Sequence, residues 1–274
     1  MTVIAMTREM GSGGRDVAQR VSEKLGLKLI LHELVEHNLA EQMHVRESDI
    51  HHRLEGGDSL RERWQIGSRK LASYVAEEVY ELAQKGNVLI RGWGACVILS
   101  KVPHVVRVRV CAPIEVRENS VISRTGVDRI AARAEIERND AAHERMLRVT
   151  CGVEREDALL YDIVLNTGRV SIDTCVKVVC DLAERPEYRE TDVSRSLLDD
   201  IVLEARLRTK LRERFTLGTG VSWLDAKVTG GRVVLTGTAV HTALAAEAVD
   251  IVNGTAGVKS LDNHIQVVRG PHPL

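Results

Sequence analysis

A chain of 274 residues, 44% hydrophobic and 28% charged, has material for two buried cores, and its length points to two domains. A formal net charge of -1 removes any global attraction to nucleic acid or anionic lipid, and an aromatic content of 3% argues against a base-stacking platform. Five cysteines without C-x-x-C spacing read as free thiols. The opening "MTVIAMTREM" lacks the pattern of an export signal, and no segment reaches the roughly 18 apolar residues of a bilayer span, so the expected location is the cytoplasm.

In chain order, "TVIAM" is a short apolar strand, followed at once by glycines and by a helix from Asp16 with Val17, Val21 and Leu25 at helical spacing. A second helix is predicted over 33–42, then a polar, histidine-bearing excursion over 44–59, broken by Gly56 and Gly57, on the substrate side. "LRERWQIGSRKLASYVAEEVYELAQKG" is a long helix closed by Gly86, and "NVLIRGWG" a buried strand. "HVVRVRVCAP" is another strand, Pro113 opens a helix to about Arg124, and "RTGVDR" breaks before an arginine-studded helix over 130–148. "YDIVLNTG" is the last strand of this half, followed by a helix with Ser171 as its cap.

Strands alternating with helices imply an α/β domain whose parallel sheet is covered on both faces. The charged stretch "ERPEYRETD" marks a boundary, beyond which a helix over 193–214 leads to two alternating strands around Gly230 and Gly231. A helix over 240–253 and a strand in "VKSLDNHIQVV" complete a small α+β module of order α-β-β-α-β.

The stretch "TREMGSGGRD" follows the first strand and opens the first helix, the place where backbone N–H groups and the helix dipole can cradle a phosphate. Against the pattern G-x-x-x-x-G-K-[ST], Gly14 takes the lysine slot and Arg8 the place of the first glycine. By pattern alone the loop fails as a nucleotide site.

The same residues resemble the cytidylate kinase-like proteins, a divergent branch of the nucleoside monophosphate kinases whose opening reads "SREFGSGGREIA". "NVLIRGWGACVIL" and "YDIVLNTGRVSIDTCVKVV" are similar to that family's "GRG" strand and its closing segment. The resemblance implies a P-loop kinase-like domain over 1–184, with ATP over Gly11, Ser12, Gly13, Gly14 and Arg15, and Mg2+ carried by the phosphates. Arg15 would supply the charge of the missing lysine. "RNDAAHER" is similar to the family's acceptor stretch, so Arg138 and Arg145, seven positions apart on one helical face, would meet the transferring phosphoryl group. Arg124, Arg129 and Arg133 flank the segment where a lid would lie.

Three departures bear on the acceptor. Ala142 replaces an acidic residue, Trp93 an arginine, and Leu31 and His32 an aspartate and an arginine of the family pattern. At roughly 1.5–3 kcal/mol for each hydrogen bond to a charged group, their loss abolishes recognition of cytidylate as the family sees it. Asp162 is a candidate magnesium contact or a turn residue. His44, His51 and His52 lack the company of a metal site, and none is expected.

"AKVTGGRVVLTGTA", a helix and "GTAGVKSLDNHIQV" resemble a BON domain over 193–268, carried by Val233, Leu235, Gly237, Val240, Val258, Leu261 and Asn263. Such a module implies a small ligand, a phospholipid or a protein as partner. The plainer alternative is an appendage through which copies of the chain associate. The whole then reads as an ATP-dependent phosphotransferase with a sensing or docking module. The alternative is an inactive nucleotide-responsive protein descended from such a kinase.

Overall fold

The computed structural model describes residues 1–31, 61–92, 94–215 and 218–268, the side chains of 61–71 and 149–150 being left aside. The expected helix over 33–42, His32, the three-histidine stretch and Trp93 therefore lie outside the described residues.

The chain divides into two compact units, one of Met1–Ser68 and Lys85–Thr191, the other of Arg69–Gln84 and Asp192–Leu274. In the first, β1 (Val3–Arg8), β2 (Lys28–Ile30), β3 (Val88–Arg91), β4 (Val105–Cys111) and β5 (Ile163–Asn166) form a parallel sheet of order β2-β3-β1-β4-β5. β1 is its centre, with Val3 beside Val88 on one flank and Val105 on the other. β1 and β3 are near-continuous buried runs, as expected of central strands covered on both faces.

In chain order the helices described up to residue 191 are α1 (Gly14–Leu25), α2 (Arg61–Lys85), most of which belongs to the second unit, the short α3 (Ala95–Ile98), α4 (Ile114–Thr125), α5 (Arg129–Cys151) and α6 (Ile172–Ala183). α1 and α6 cover one sheet face, where Val17, Ala18 and Val21 meet Cys175, Val176 and Val179 over Ile4, Met6 and Val108. Ser171 caps α6 as expected, its side chain accepting from the Thr174 N–H at 3.2 Å. α5 is longer than its sequence pattern predicts. Asp128 caps it, accepting from Ala131 N–H at 2.8 Å, and Gly152 ends it in a left-handed conformation.

In the second unit, β6 (Val221–Thr229) and β7 (Arg232–Ala239) form the hairpin expected at Gly230 and Gly231, and β8 (Ser260–Val267) joins β7 in parallel. α7 (Asp192–Arg214) and α8 (Thr242–Asn253) supply Leu203, Leu207, Leu211, Ala248 and Val252 to a core with Ala226, Val228, Val233 and Leu235. Gly237 lets β7 approach the β6 backbone, since a Cβ there would lie 3.1 Å from Leu224 Cα. The C-terminal part of α2 packs on α7 within this unit. Glu81 pairs with Arg206 at 2.6 Å, the Gln84 amide donates to Asp199 at 2.7 Å, and Tyr74 donates to Glu213.

No helix of the described residues is long and apolar enough to cross a membrane. All five cysteines are free, and burial pushes the Cys96 thiol up to about 12.

Candidate phosphate-binding site

The glycine stretch leaves the carboxyl end of the central strand and turns directly into α1, where ligands of open α/β sheets gather. Ser12 N–H donates to Glu9 O at 3.1 Å and the N–H groups of Asp16 and Val17 both donate to Gly13 O, which closes the turn. Among the described residues no group accepts the N–H of Gly11, Gly13, Gly14 or Arg15. Gly13, at the helix cap, has no side chain that could satisfy them. Four free donors at the positive end of a helix form a concave anion site.

The Ser12 side chain takes no part in that concavity. It is buried, and its hydroxyl donates to Val110 O at 3.2 Å while Thr167 donates to Ser12 O at 2.7 Å. Two of the glycines are required by neighbouring protein. A Cβ on Gly11 would lie 2.5 Å from the Arg117 carbonyl oxygen, and its φ of +79° is one that side chains resist. At Gly14 a Cβ would stand 2.6 Å from Arg8 Cβ and 3.2 Å from Val110 Cβ.

Beneath the loop runs a network of charges that sequence reasoning missed. Glu9, almost buried, accepts from Arg109 at 2.9 Å and from Ala112 N–H at 3.2 Å, and pairs with Arg117 at 3.5 Å. Arg117, also buried, donates to Met10 O at 2.7 Å and to Asp140 at 2.8 Å, and Arg155 reaches Asp140 at 3.3 Å. Arg109 in turn donates to Arg155 O at 2.7 Å, and the Tyr161 hydroxyl donates to the same oxygen at 2.9 Å. Burial pushes the Tyr161 phenol up to about 12, so it remains a donor. The network ties the loop to β4, α4 and α5. Its signal was present in the arginines alternating within "VVRVRVC", out of place in a strand covered on both faces.

α5 turns one face to this network. Ala132 and Ile136 are buried there, Asp140 lies one turn on, and the His143 ring is hydrogen-bonded to Asn139 O at 2.9 Å. Burial holds the His143 imidazole below its ordinary range, and the charges of Arg8 and Arg155 act in the same direction. By helical spacing Arg138 and Arg145 lie on the other face, and both are exposed. Arg15 is exposed on the first turn of α1 and makes no hydrogen bond or ion pair with the described residues. Two expected lid arginines are engaged: Arg129 pairs with the buried carboxylate of Glu118 at 2.8 Å, and Arg133 with its other oxygen. Asp162 is held by Arg107 at 2.6 Å at the opening end of β5, the opposite end of a parallel strand from the glycine loop.

The β2-β3-β1-β4-β5 sheet with a glycine turn after its central strand defines a P-loop kinase-like protein. The family model of the cytidylate kinase-like family matches residues 3–169, and the chain belongs to that family. The BON domain model matches 199–269. A cytidylate kinase of Staphylothermus marinus is 24% identical over 196 residues, 68% of this chain and 98% of the relative. One of Methanopyrus kandleri is 27% identical over 179 residues, 62% of this chain and 86% of its own. Among solved structures, a Eubacterium ventriosum protein described as uncharacterized covers 68% of this chain and 100% of its own, with a TM-score of 0.55 and 22% identity, a likeness of fold alone.

Proposed function

We propose that this chain transfers the γ-phosphoryl group of ATP to a nucleoside monophosphate. The observation that carries the reading is the set of unclaimed N–H groups from Gly11 to Arg15 at the head of α1, in a chain of the cytidylate kinase-like family. These donors hold the phosphate oxygens, and Arg15 lies on the same turn. The acceptor phosphate oxygen forms the new bond to the γ phosphorus while the bond to the β–γ bridging oxygen breaks, leaving ADP. Charge and exclusion of water, more than covalent chemistry, lower that barrier. Arg138 and Arg145 are assigned to the transferring group, which requires the outer face of α5 to turn toward the loop.

Mg2+ enters with the triphosphate. The hydroxyl slot of the usual loop is Arg15, so the loop lacks the side chain that usually meets magnesium there. No step is assigned to protein ligation of the ion.

The acceptor differs from cytidylate in how it is recognised, because Ala142 and Leu31 are apolar where the family pattern has charge. Under the same proposal, residues 1–184, apart from 69–84, form the kinase-like domain, and 193–268 a module that binds a small ligand, a phospholipid or a protein. The test is transfer of label from γ-labelled ATP across a panel of nucleoside monophosphates. A labelled diphosphate is the expected product. Absence of transfer to every acceptor, from protein that binds ATP in calorimetry, rejects catalysis and leaves a nucleotide-binding protein.

A further inference from the structure

Two of the departures from the P-loop pattern, at positions 8 and 14, lie side by side. Gly14 stands in the lysine slot, and the space a side chain would need there is filled by Arg8, which stands in the slot of the first glycine. A Cβ at Gly14 would be 2.6 Å from Arg8 Cβ and 3.4 Å from Arg8 Cδ, so the Arg8 stem runs along the face of Gly14 from its root to its third carbon. Resting on the reading of the loop as a phosphate site, we infer that Arg8 supplies the cation that the loop lysine supplies elsewhere, and that its ligands are the outer phosphates of a nucleoside triphosphate.

Three observations support the exchange. Arg8 is the last residue of β1, its backbone paired with Val110 of β4, so its stem starts from a fixed point at the carboxyl edge of the sheet. The loop leaves that edge from Arg8 itself and returns to it at Gly14, so the arginine and the unclaimed N–H groups of Gly13 and Gly14 share one corner of the fold. The charge of Arg8 is also felt at the half-buried His143, where, after burial, it acts to lower the proton affinity of the imidazole.

The chemistry fits the place. A guanidinium never loses its charge at physiological pH and binds two phosphate oxygens at once, which a lysine does not. The Arg8 stem lies against Gly14, and the bare Cα of Gly14 is what lets that stem pass. A lysine at position 14 and an arginine at position 8 would compete for one space. Each departure makes sense of the other.

This assignment takes the place of the role expected for Arg15, which is exposed on the first turn of α1. The two arginines are separable by titration calorimetry of the full chain with ATP and with adenosine monophosphate, which lacks the outer phosphates. Arg8→Met keeps the apolar stem beside Gly14 and removes the charge. It is expected to weaken ATP binding about 10- to 100-fold, as for loss of a charged hydrogen bond in a sheltered site, and to leave adenosine monophosphate within about twofold. Arg15→Ala is expected to cost less than about threefold. The double variant R8G/G14K restores the glycine and the lysine of the ordinary pattern and is expected to recover most of the lost ATP affinity.

Thermal melts accompany each titration, so that a folding defect is seen as such. Arg8→Met with a wild-type melt and ATP affinity within about twofold of wild type overturns the inference. So does R8G/G14K, folded, binding ATP no better than Arg8→Met. Should Arg8→Met fail to fold, the folded double variant decides by its affinity against wild type. If the wild-type chain binds no ATP at all, the nucleotide reading fails first and this inference falls with it, an outcome distinct from a wild type that binds and an Arg8→Met that binds equally.

Discussion

The surroundings of the glycine loop and the interior of the C-terminal module are built from different materials. Around the loop, three carboxylates and three guanidiniums (Glu9, Asp140 and Glu156 with Arg109, Arg117 and Arg155) close into a network. The C-terminal module is held by leucine, valine and alanine from α7, α8 and three strands, its ion pairs lying nearer the surface. An aliphatic core fixes a shape at low cost but presents no field. A closed charge network fixes donors in place and stays near neutral, so attraction for an anion falls to the loop N–H groups and to arginines outside the network.

The comparison is sharpest where one network partner is removed. Glu9→Ala leaves Arg109 and Arg117 buried without their shared carboxylate and is expected to cost about 3–5 kcal/mol. The loss should be read by hydrogen exchange in β1, β4 and the start of α1, with the C-terminal module unchanged. The matching cut in the other region is Leu207→Ala, at a fully buried position, with an expected cost of about 2–5 kcal/mol. Its loss of protection should be confined to α7, α8 and the small sheet, with ATP affinity retained. If Glu9→Ala is as mild as a surface change, the network is ornament and the contrast collapses.

A smaller effect is expected from Gly11→Ala, which forces a Cβ against the Arg117 carbonyl at a positive φ. A cost of about 1–3 kcal/mol in chemical denaturation is expected, together with weakened ATP binding as the loop shifts. Retained affinity with lowered stability would show that the loop carries its donors through the distortion.

The smallest effect concerns His143. Its proton affinity is lowered in the folded state, so the unfolded chain binds the proton more readily. Stability is therefore full above the ordinary imidazole value near 6.5 and declines as pH falls below it. A His143→Gln variant should show a flatter melting temperature between about pH 6.5 and 5. An Arg8→Met variant should raise the His143 titration seen by NMR. An identical pH slope in His143→Gln and wild type would remove the imidazole from the account.

Much of this architecture was legible. Aliphatic runs, glycine breaks and Ser171 marked strands, turns and a cap whose physics is local. The pair Gly230 and Gly231 placed the hairpin. The site was legible only in part, because helical spacing says that Arg138 and Arg145 share a face but not which face is inward. Ala132, Ile136 and Leu147 settle that, and they set Asp140 and His143 inward with them. Glu9 reads as an ordinary loop acid until Arg109 and Arg117 arrive from elements about a hundred residues away. The parallel pairing of β8 with β7, and the packing of α2 on α7, are likewise tertiary facts without a local signature.

The placement of α2 has a practical corollary. Residues 69–84 are written into the middle of the first sequence domain, yet they pack with the chain beyond residue 191. A fragment cut at that seam would strip Tyr74, Glu81 and Gln84 of their α7 partners. The polypeptide is stitched rather than beaded, and its halves are best handled as one piece of cloth.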